Sequence, residues 1–184
     1  MKHKLLKCGL IGGLVLFVWS AIFWMVFACQ KNYMMGFSDE SDVASAIVDN
    51  APKSGIYILP NVGGKSGNSD QMKEAEKKMA QGPFVFAAVK LEGKNPRMGS
   101  ALFGSLILKI VAACLVTWLL IQARIGEFRR AVKFVTIVGV VVGILVAFPH
   151  AIWFGFPAGY VFCSLIGTIV GWFLAGLAIA KFVK

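Results

Sequence analysis

The sequence predicts an α-helical membrane bundle of four transmembrane helices with a small extracytoplasmic α/β domain inserted between helices 1 and 2. Three observations carry this. The apolar residues gather in four blocks of 17 to 23 residues, where a soluble core would scatter them at helical or strand period. One polar segment of about seventy residues separates the first two blocks. The surplus of basic residues collects at block ends. With 58% hydrophobic and 15% charged residues, the 184-residue chain is far more apolar than a soluble domain of that size.

The first span is expected from Cys8 to Cys29. At 1.5 Å per residue its 22 residues cover about 33 Å, enough for a hydrocarbon layer of about 30 Å. A secretory signal shares the basic start but has a shorter apolar region, so this block reads as an anchor. Val26-Phe27-Ala28-Cys29 only faintly resembles a lipoprotein cleavage box, because Phe27 is bulky where a small residue is wanted. The remaining spans are expected at Ala101–Gln122, Val132–Phe148 and Ala158–Ala180, joined by Ala123–Ala131 and Pro149–Pro157. The chain therefore divides into residues 1–29, 30–100 and 101–184.

Eight of the ten net positive charges sit at helix ends: three from Lys2, Lys4 and Lys7, three around Arg124–Lys133, and two from Lys181 and Lys184. Placing these ends on the cytoplasmic side orients all four spans without conflict. Both termini are then cytoplasmic, and residues 30–100 and the 149–157 turn face outward. No basic stretch interleaved with aromatics offers a base-stacking surface, so nucleic acid is not an expected partner.

Within the outer segment, Ser38 or Ser41 is expected to cap a helix with Val43, Ile47 and Val48 as its apolar stripe, ending before Pro52. Gly55–Leu59 reads as a strand. Ser69 or Asp70 can cap a second helix carrying Met72, Ala75 and Met79 on one side and a Glu74/Lys78 pair, stopped by Gly82-Pro83. Phe84–Leu91 reads as a second strand. The intervening helix permits a right-handed parallel crossover, with an antiparallel pairing as the second option. Two strands in seventy residues make a thin core, so the unit is expected to lean on the membrane helices or on a partner.

Asn61–Ser66 lies where a phosphate-binding loop would lie, but Leu59 replaces the required first glycine, and Gly67-Asn68-Ser69 separate Lys65-Ser66 from the helix. It reads as a solvated loop. Cys8, Cys29, Cys114 and Cys163 include no CxxC pair and no Cys/His cluster. They are expected to pack as small apolar residues, with no disulfide framework and no metal or redox chemistry. Lys109 is the most informative polar residue, about 12 Å inside the second span. All nine Asp and Glu residues lie in loops, so it either snorkels toward the outer headgroups or faces a pocket for water or an anionic ligand, with His150 near its mouth. The same lack of embedded carboxylates argues against proton-coupled or cation transport.

Gly159, Cys163, Gly167, Gly171 and Ala175 recur every four residues on the fourth span, and Gly139/Gly143 and Gly9/Gly13 repeat that spacing on the third and first. These small faces are expected to let helices approach closely, within the chain or against another copy. Trp153 and Tyr160 belong to an aromatic turn suited to the headgroup layer, and Pro157 to the first turn of the following helix. His150 without a positioned nucleophile or acid makes no catalytic site, so neither an enzyme nor a cofactor is expected.

The Gly-Gly start of the first span, the PKSGIYILP stretch, Gly82-Pro83 and the WFGFPAGY turn resemble small four-span bacterial inner-membrane proteins of unassigned activity. The resemblance covers most of the chain and implies topology alone. The expected function is structural or accessory, with the lipid bilayer, a second copy or another membrane protein as partner. A small transporter or ligand- or lipid-binding protein with a cavity around Lys109 is the alternative.

Overall fold

The computed structural model describes residues 2–61 and 69–183. Its elements run α1 (Lys2–Ile22), α2 (Glu40–Asn50), β1 (Gly55–Leu59), α3 (Ser69–Gln81), β2 (Val85–Val89), α4 (Gly99–Gln122), α5 (Phe128–Phe154) and α6 (Ala158–Val183). The chain separates into two units, one formed by residues 1–35 with 97–184 and the other by residues 36–96.

Four helices of the first unit, His3–Phe27, α4, α5 and α6, are long and apolar enough to cross a membrane. The bare backbone of such a segment must bond within itself, which is why each apolar block is a continuous helix. Antiparallel contacts build the unit. Gly9 and Gly13 of α1 abut Cys114 and Ile110 of α4. On another face of α1, Trp19 and Phe23 meet Gly171 and Gly167 of α6, and Gly12 meets Ile179. Trp172 and Leu165 of α6 in turn fill the space over Gly139 and Gly143 of α5. The helices thus stand in the order α4, α1, α6, α5, while α4 and α5 hardly meet beyond what their short connection requires. The buried core follows this order, with Cys8, Ala113, Leu120, Val135, Ala175 and Ile179 at or near zero exposure.

Two ends of this unit can be named by their chemistry. The basic end carries Lys4, Lys7, Arg124, Arg129, Arg130, Lys133 and Lys181. At the opposite end α1 loosens into a π turn, Phe23–Phe27, closed by the Ala28 N–H on the Phe23 carbonyl. Ala28 takes a left-handed conformation with φ of 49°, which turns the chain out of the helix. Directly after it, Cys29 is disulfide-bonded to Cys163 of α6, their Cα atoms 6.2 Å apart. This corrects the expectation that all four cysteines pack as free thiols; Cys8 and Cys114 do remain free. The pairing follows from α1 and α6 being antiparallel neighbours, which brings the end of one beside the start of the other.

The third span is longer than expected. α5 continues through Pro149 to Phe154, so the aromatic stretch assigned to a turn from Pro149 is helix up to its last three residues before α6. Proline withdraws one backbone donor, a loss that apolar helices accommodate. The helix stops instead at Gly155, left-handed at φ of 68°, where the Gly155 N–H bonds to Ala151 O and the Phe156 N–H to His150 O. That double closure needs a residue without a Cβ penalty.

In the second unit β1 and β2 pair antiparallel, Gly55 opposite Val89 and Leu59 opposite Val85. An isolated pair exposed on both faces favours this arrangement over a parallel one, which needs helices covering it. Ser54 ties the open end: its hydroxyl bonds to the Glu92 carboxylate and accepts the Leu91 N–H at 2.9 Å. The Ser54 hydroxyl, with Lys90 nearby, holds the Glu92 carboxyl below the usual carboxylate range.

The N-cap of α2 is Asp39, where Ser38 or Ser41 was expected. Asp39 Oδ1 accepts from the Ser41 and Asp42 N–H groups, each at 3.0 Å, and from the Ser41 hydroxyl at 2.6 Å. A carboxylate is the better cap at a helix N-terminus, and Ser41 sits inside the first turn. These donors hold the Asp39 carboxyl below its ordinary value. In α3 the Glu74–Lys78 pair closes at 2.8 Å, and Gly82, left-handed at φ of 67°, follows its end. The cap side chains of α3, and Val62 to Asn68 of the glycine-rich loop, lie outside the described residues. Neither helix packs much on the sheet, and Ala51 is the unit's one buried apolar side chain among the described residues.

Candidate functional site: a cavity around Lys109

Because α4 and α5 diverge, the half of the bundle toward the disulfide end encloses a cavity of about 440 Å³. This lies within the ~300–1,000 Å³ of ordinary ligand pockets. All four long helices line it. α1 supplies Leu16, Trp19, Ser20, Phe23 and Trp24, and α6 supplies Ser164, Gly167, Thr168, Gly171 and Trp172. The facing walls are Leu108, Lys109 and Ala112 of α4 and Val142 and Val146 of α5, and Gln30 closes the disulfide end.

Sequence dictates this shape locally. Glycines at 167 and 171 leave room that Phe23 and Trp19 occupy, and the close approach lets Trp19 Nε1 donate to the Gly167 carbonyl at 2.8 Å. Trp19, Phe23 and Phe27 then stack along α1 with ring centroids 5.9 to 6.0 Å apart. The aromatic wall is thus fixed at both its helix partner and its neighbours.

Among the described residues, Lys109 is the only ionisable side chain lining the cavity. Its Nζ donates to Ser105 Oγ at 2.6 Å and stands 5.9 Å from the Phe17 ring centroid. Ser105 lies one turn toward the disulfide end, so the stem leans that way while the residue still lines the cavity. No acidic residue occurs in any of the four long helices.

The other polar lining groups divide by role. Ser20 donates to Phe17 O at 2.8 Å and Thr168 to Ser164 O at 2.9 Å, so both hydroxyl protons are engaged within their own helices. Gln30 is 7% exposed, and its side-chain Oε1 is buried with no hydrogen-bond partner. A buried carbonyl oxygen left unpaired costs about 1–3 kcal/mol.

The remaining sequence candidates are not gathered here. His150 lies on α5 with Nδ1 2.7 Å from the Val146 carbonyl, its ring against Phe156 at 5.1 Å, and it does not line the cavity. Tyr160 packs edge-on to Phe156 at 5.5 Å, and Trp153 is largely exposed. The small-residue faces are filled from inside the chain: along α6, Gly159 meets Tyr33, Cys163 bonds Cys29, Gly167 meets Phe23, Gly171 meets Trp19, and Ala175 is fully buried. Gly139 and Gly143 take Trp172 and Leu165. Gln30, Ser164, Thr168 and the lining tryptophans Trp19, Trp24 and Trp172 were not singled out from sequence; the one available signal was Gln30 as a polar residue directly following an apolar block. Among the described residues, no group of three or more His, Cys, Asp or Glu side chains could hold a metal ion.

Fold and cavity together define a helical membrane protein with four candidate spans and a largely apolar pocket between them. Neither the protein-family models, nor the curated proteins, nor the solved structures contain a match to this chain.

Proposed function

We propose that this protein is a ligand-binding integral membrane protein, using the cavity around Lys109 to take an amphiphile from the surrounding bilayer. The observation that carries this is a lone lysine on one largely apolar cavity at the gap between α4 and α5. A charge placed within an apolar span marks function by default. The expectation of assembly through small-residue faces loses its main support, because those faces are occupied within the chain. Assembly through the inserted unit keeps an observation in its favour, the exposed Val48, Ile56 and Leu59.

The reading includes an orientation. The basic end faces the cytoplasm of a bacterial inner membrane, and both termini lie there, following the charge bias of short loops. The Cys29–Cys163 bond supports the same choice, since disulfides persist on the oxidising side. The inserted unit is then extracytoplasmic. Reporter fusions at Glu76, Gly126 and the C-terminus are expected to place only Glu76 outside, and any other pattern refutes the orientation.

The cavity is tested by native mass spectrometry of the full chain in mild detergent with bilayer lipids supplied. The wild type is expected to retain one lipid under activation that strips the detergent, and Ala112→Phe, which fills the α4 wall, to lose it. A wild type that leaves the detergent bare sinks the reading.

A further inference from the structure

The basic end of the bundle carries a second hollow, which shares no lining residue with the cavity around Lys109. It is an open groove of about 430 Å³ along the line where α5 and α6 run side by side. Gly176 limits its depth. A Cβ added there would stand 3.2 Å from Val135 Cβ and 3.4 Å from the Val132 carbonyl oxygen, so the two helices touch at Val132 and the groove is floored. Its flanks are Ile137 of α5 with Phe173 and Leu177 of α6, and Ile137 is 51% and Phe173 41% exposed. The Thr136 hydroxyl gives its proton to the Val132 carbonyl at 2.8 Å.

At the mouth stand Arg129 and Lys133, which share one stripe of α5 with Ile137 at successive spacings of four residues. Both are exposed, and among the described residues neither side chain takes part in an ion pair or hydrogen bond. The chain has little to offer them. Eight of its nine acidic residues fall within the inserted unit, and the ninth, Glu127, is bonded to Arg130 at 2.8 Å.

We infer that this groove holds an anionic phospholipid, its phosphate bound between Arg129 and Lys133 and its acyl chains laid along Ile137, Phe173 and Leu177. The site is independent of the cavity around Lys109. Arg129 is the second residue of α5, at the level where the helix enters the bilayer, and Ile137 lies eight residues or about 12 Å further in. Cations at the head-group layer above an apolar furrow reproduce the polarity of a phospholipid standing in one leaflet, and basic recesses between membrane helices take anionic heads. Other occupants match less of it. A zwitterionic head brings its own cation toward Arg129 and Lys133, a soluble phosphate leaves the apolar flanks bare, and a second copy packed face to face brings the same cations.

An open groove exchanges its lipid, so the test is made at equilibrium. The unfolding midpoint of the full chain in mild detergent is measured with excess dioleoyl phosphatidylglycerol or dioleoyl phosphatidylcholine. The midpoint is expected to stand roughly 3–5 °C higher with the glycerol lipid, the shift that a tenfold tighter ligand gives a chain of this size. Arg129→Gln combined with Lys133→Gln should abolish that difference, and Arg129→Lys should keep most of it. Arg124→Gln removes a charge from the same end outside the groove, and Ala112→Phe fills the cavity; both should leave the difference in place. Inorganic phosphate should neither raise the midpoint nor cancel the effect of the lipid.

Equal midpoints with the two lipids in the wild type overturn the inference, as does a difference that survives in the double variant. A loss in Arg124→Gln as large as in Arg129→Gln assigns the effect to the charge of the whole end and overturns it too. Disappearance in Ala112→Phe moves the selective site to the cavity, and a phosphate effect equal to that of the lipid moves it to a soluble anion; each sinks the groove. Neither result bears on the retained adduct that tests the cavity. Should the double variant show no folded transition, the wild-type comparison of the two lipids with Arg124→Gln and Arg129→Gln decides.

Discussion

The two units of this chain expose apolar residues for opposite physical reasons. On the bundle, Leu108 and Leu145 are more than two-thirds exposed, as residues that meet acyl chains should be, and beneath them the helices interlock through glycines. In the inserted unit Ile56 is 73% exposed on a strand of five residues with almost nothing packed over it. Lipid gives helices no hydrophobic drive to associate, so the bundle depends on shape. The inserted unit depends on local bonds instead: the Asp39 cap, the Ser54 tie and the Glu74–Lys78 pair. Exposure alone therefore does not rank stability; what lies on the other side of each residue does.

Perturbations should divide along the same line. The largest effect is expected from Cys29→Ser, which frees two points 134 residues apart in sequence. A loss of about 2–4 kcal/mol is the usual scale for such a link, read as a lower unfolding midpoint in detergent that reductant reproduces in the wild type. Next comes Gly139→Leu, whose added Cβ would lie within 2.7 Å of Trp172 Cγ. Overpacking of this kind costs about 1–3 kcal/mol, while Gly99→Ala, with nothing within 4 Å, should be silent in the same thermal assay.

Trp19→Phe removes the bond to the Gly167 carbonyl but keeps the ring, and should cost about 1 kcal/mol. Equal midpoints for Trp19→Phe and wild type would show that shape alone joins α1 to α6. The smallest and most local effect belongs to Asp39. Its carboxyl is held below the ordinary value of 3.8, so its stabilisation of α2 is present above that value and lost as pH falls through the lowered one. Hydrogen exchange should show the first turn of α2 losing protection in that acid range, and Asp39→Ala should show no such loss because its protection is already gone at neutral pH. The bundle should not respond to either change.

Much of the bundle is legible in the sequence because bilayer thickness dictates span length, and an apolar run of that length has few alternatives to helix. Its boundaries are less so. Pro149 and Pro157 suggest a turn between them, yet the helix runs on to the one residue, Gly155, whose left-handed backbone closes it. Lys109 stands out as a lone charge in an apolar block. Its neighbours do not: Ser164, Thr168 and Trp172 are unremarkable on α6 until α1 is known to lie alongside. The disulfide escapes for the same reason, since Cys29 and Cys163 become partners only through helix order. In the inserted unit the elements are readable and the strand pairing is not, because that depends on whether anything covers the sheet.

The order α4, α1, α6, α5 has a mechanical consequence. It makes the bundle an open book: α1 and α6 form the spine, stitched by the Trp19 bond and the Cys29–Cys163 link, and α4 and α5 are the covers. The fore-edge between the covers, over Lys109, is therefore the seam with the least holding it, and a change in its width would leave both stitches of the spine unbroken.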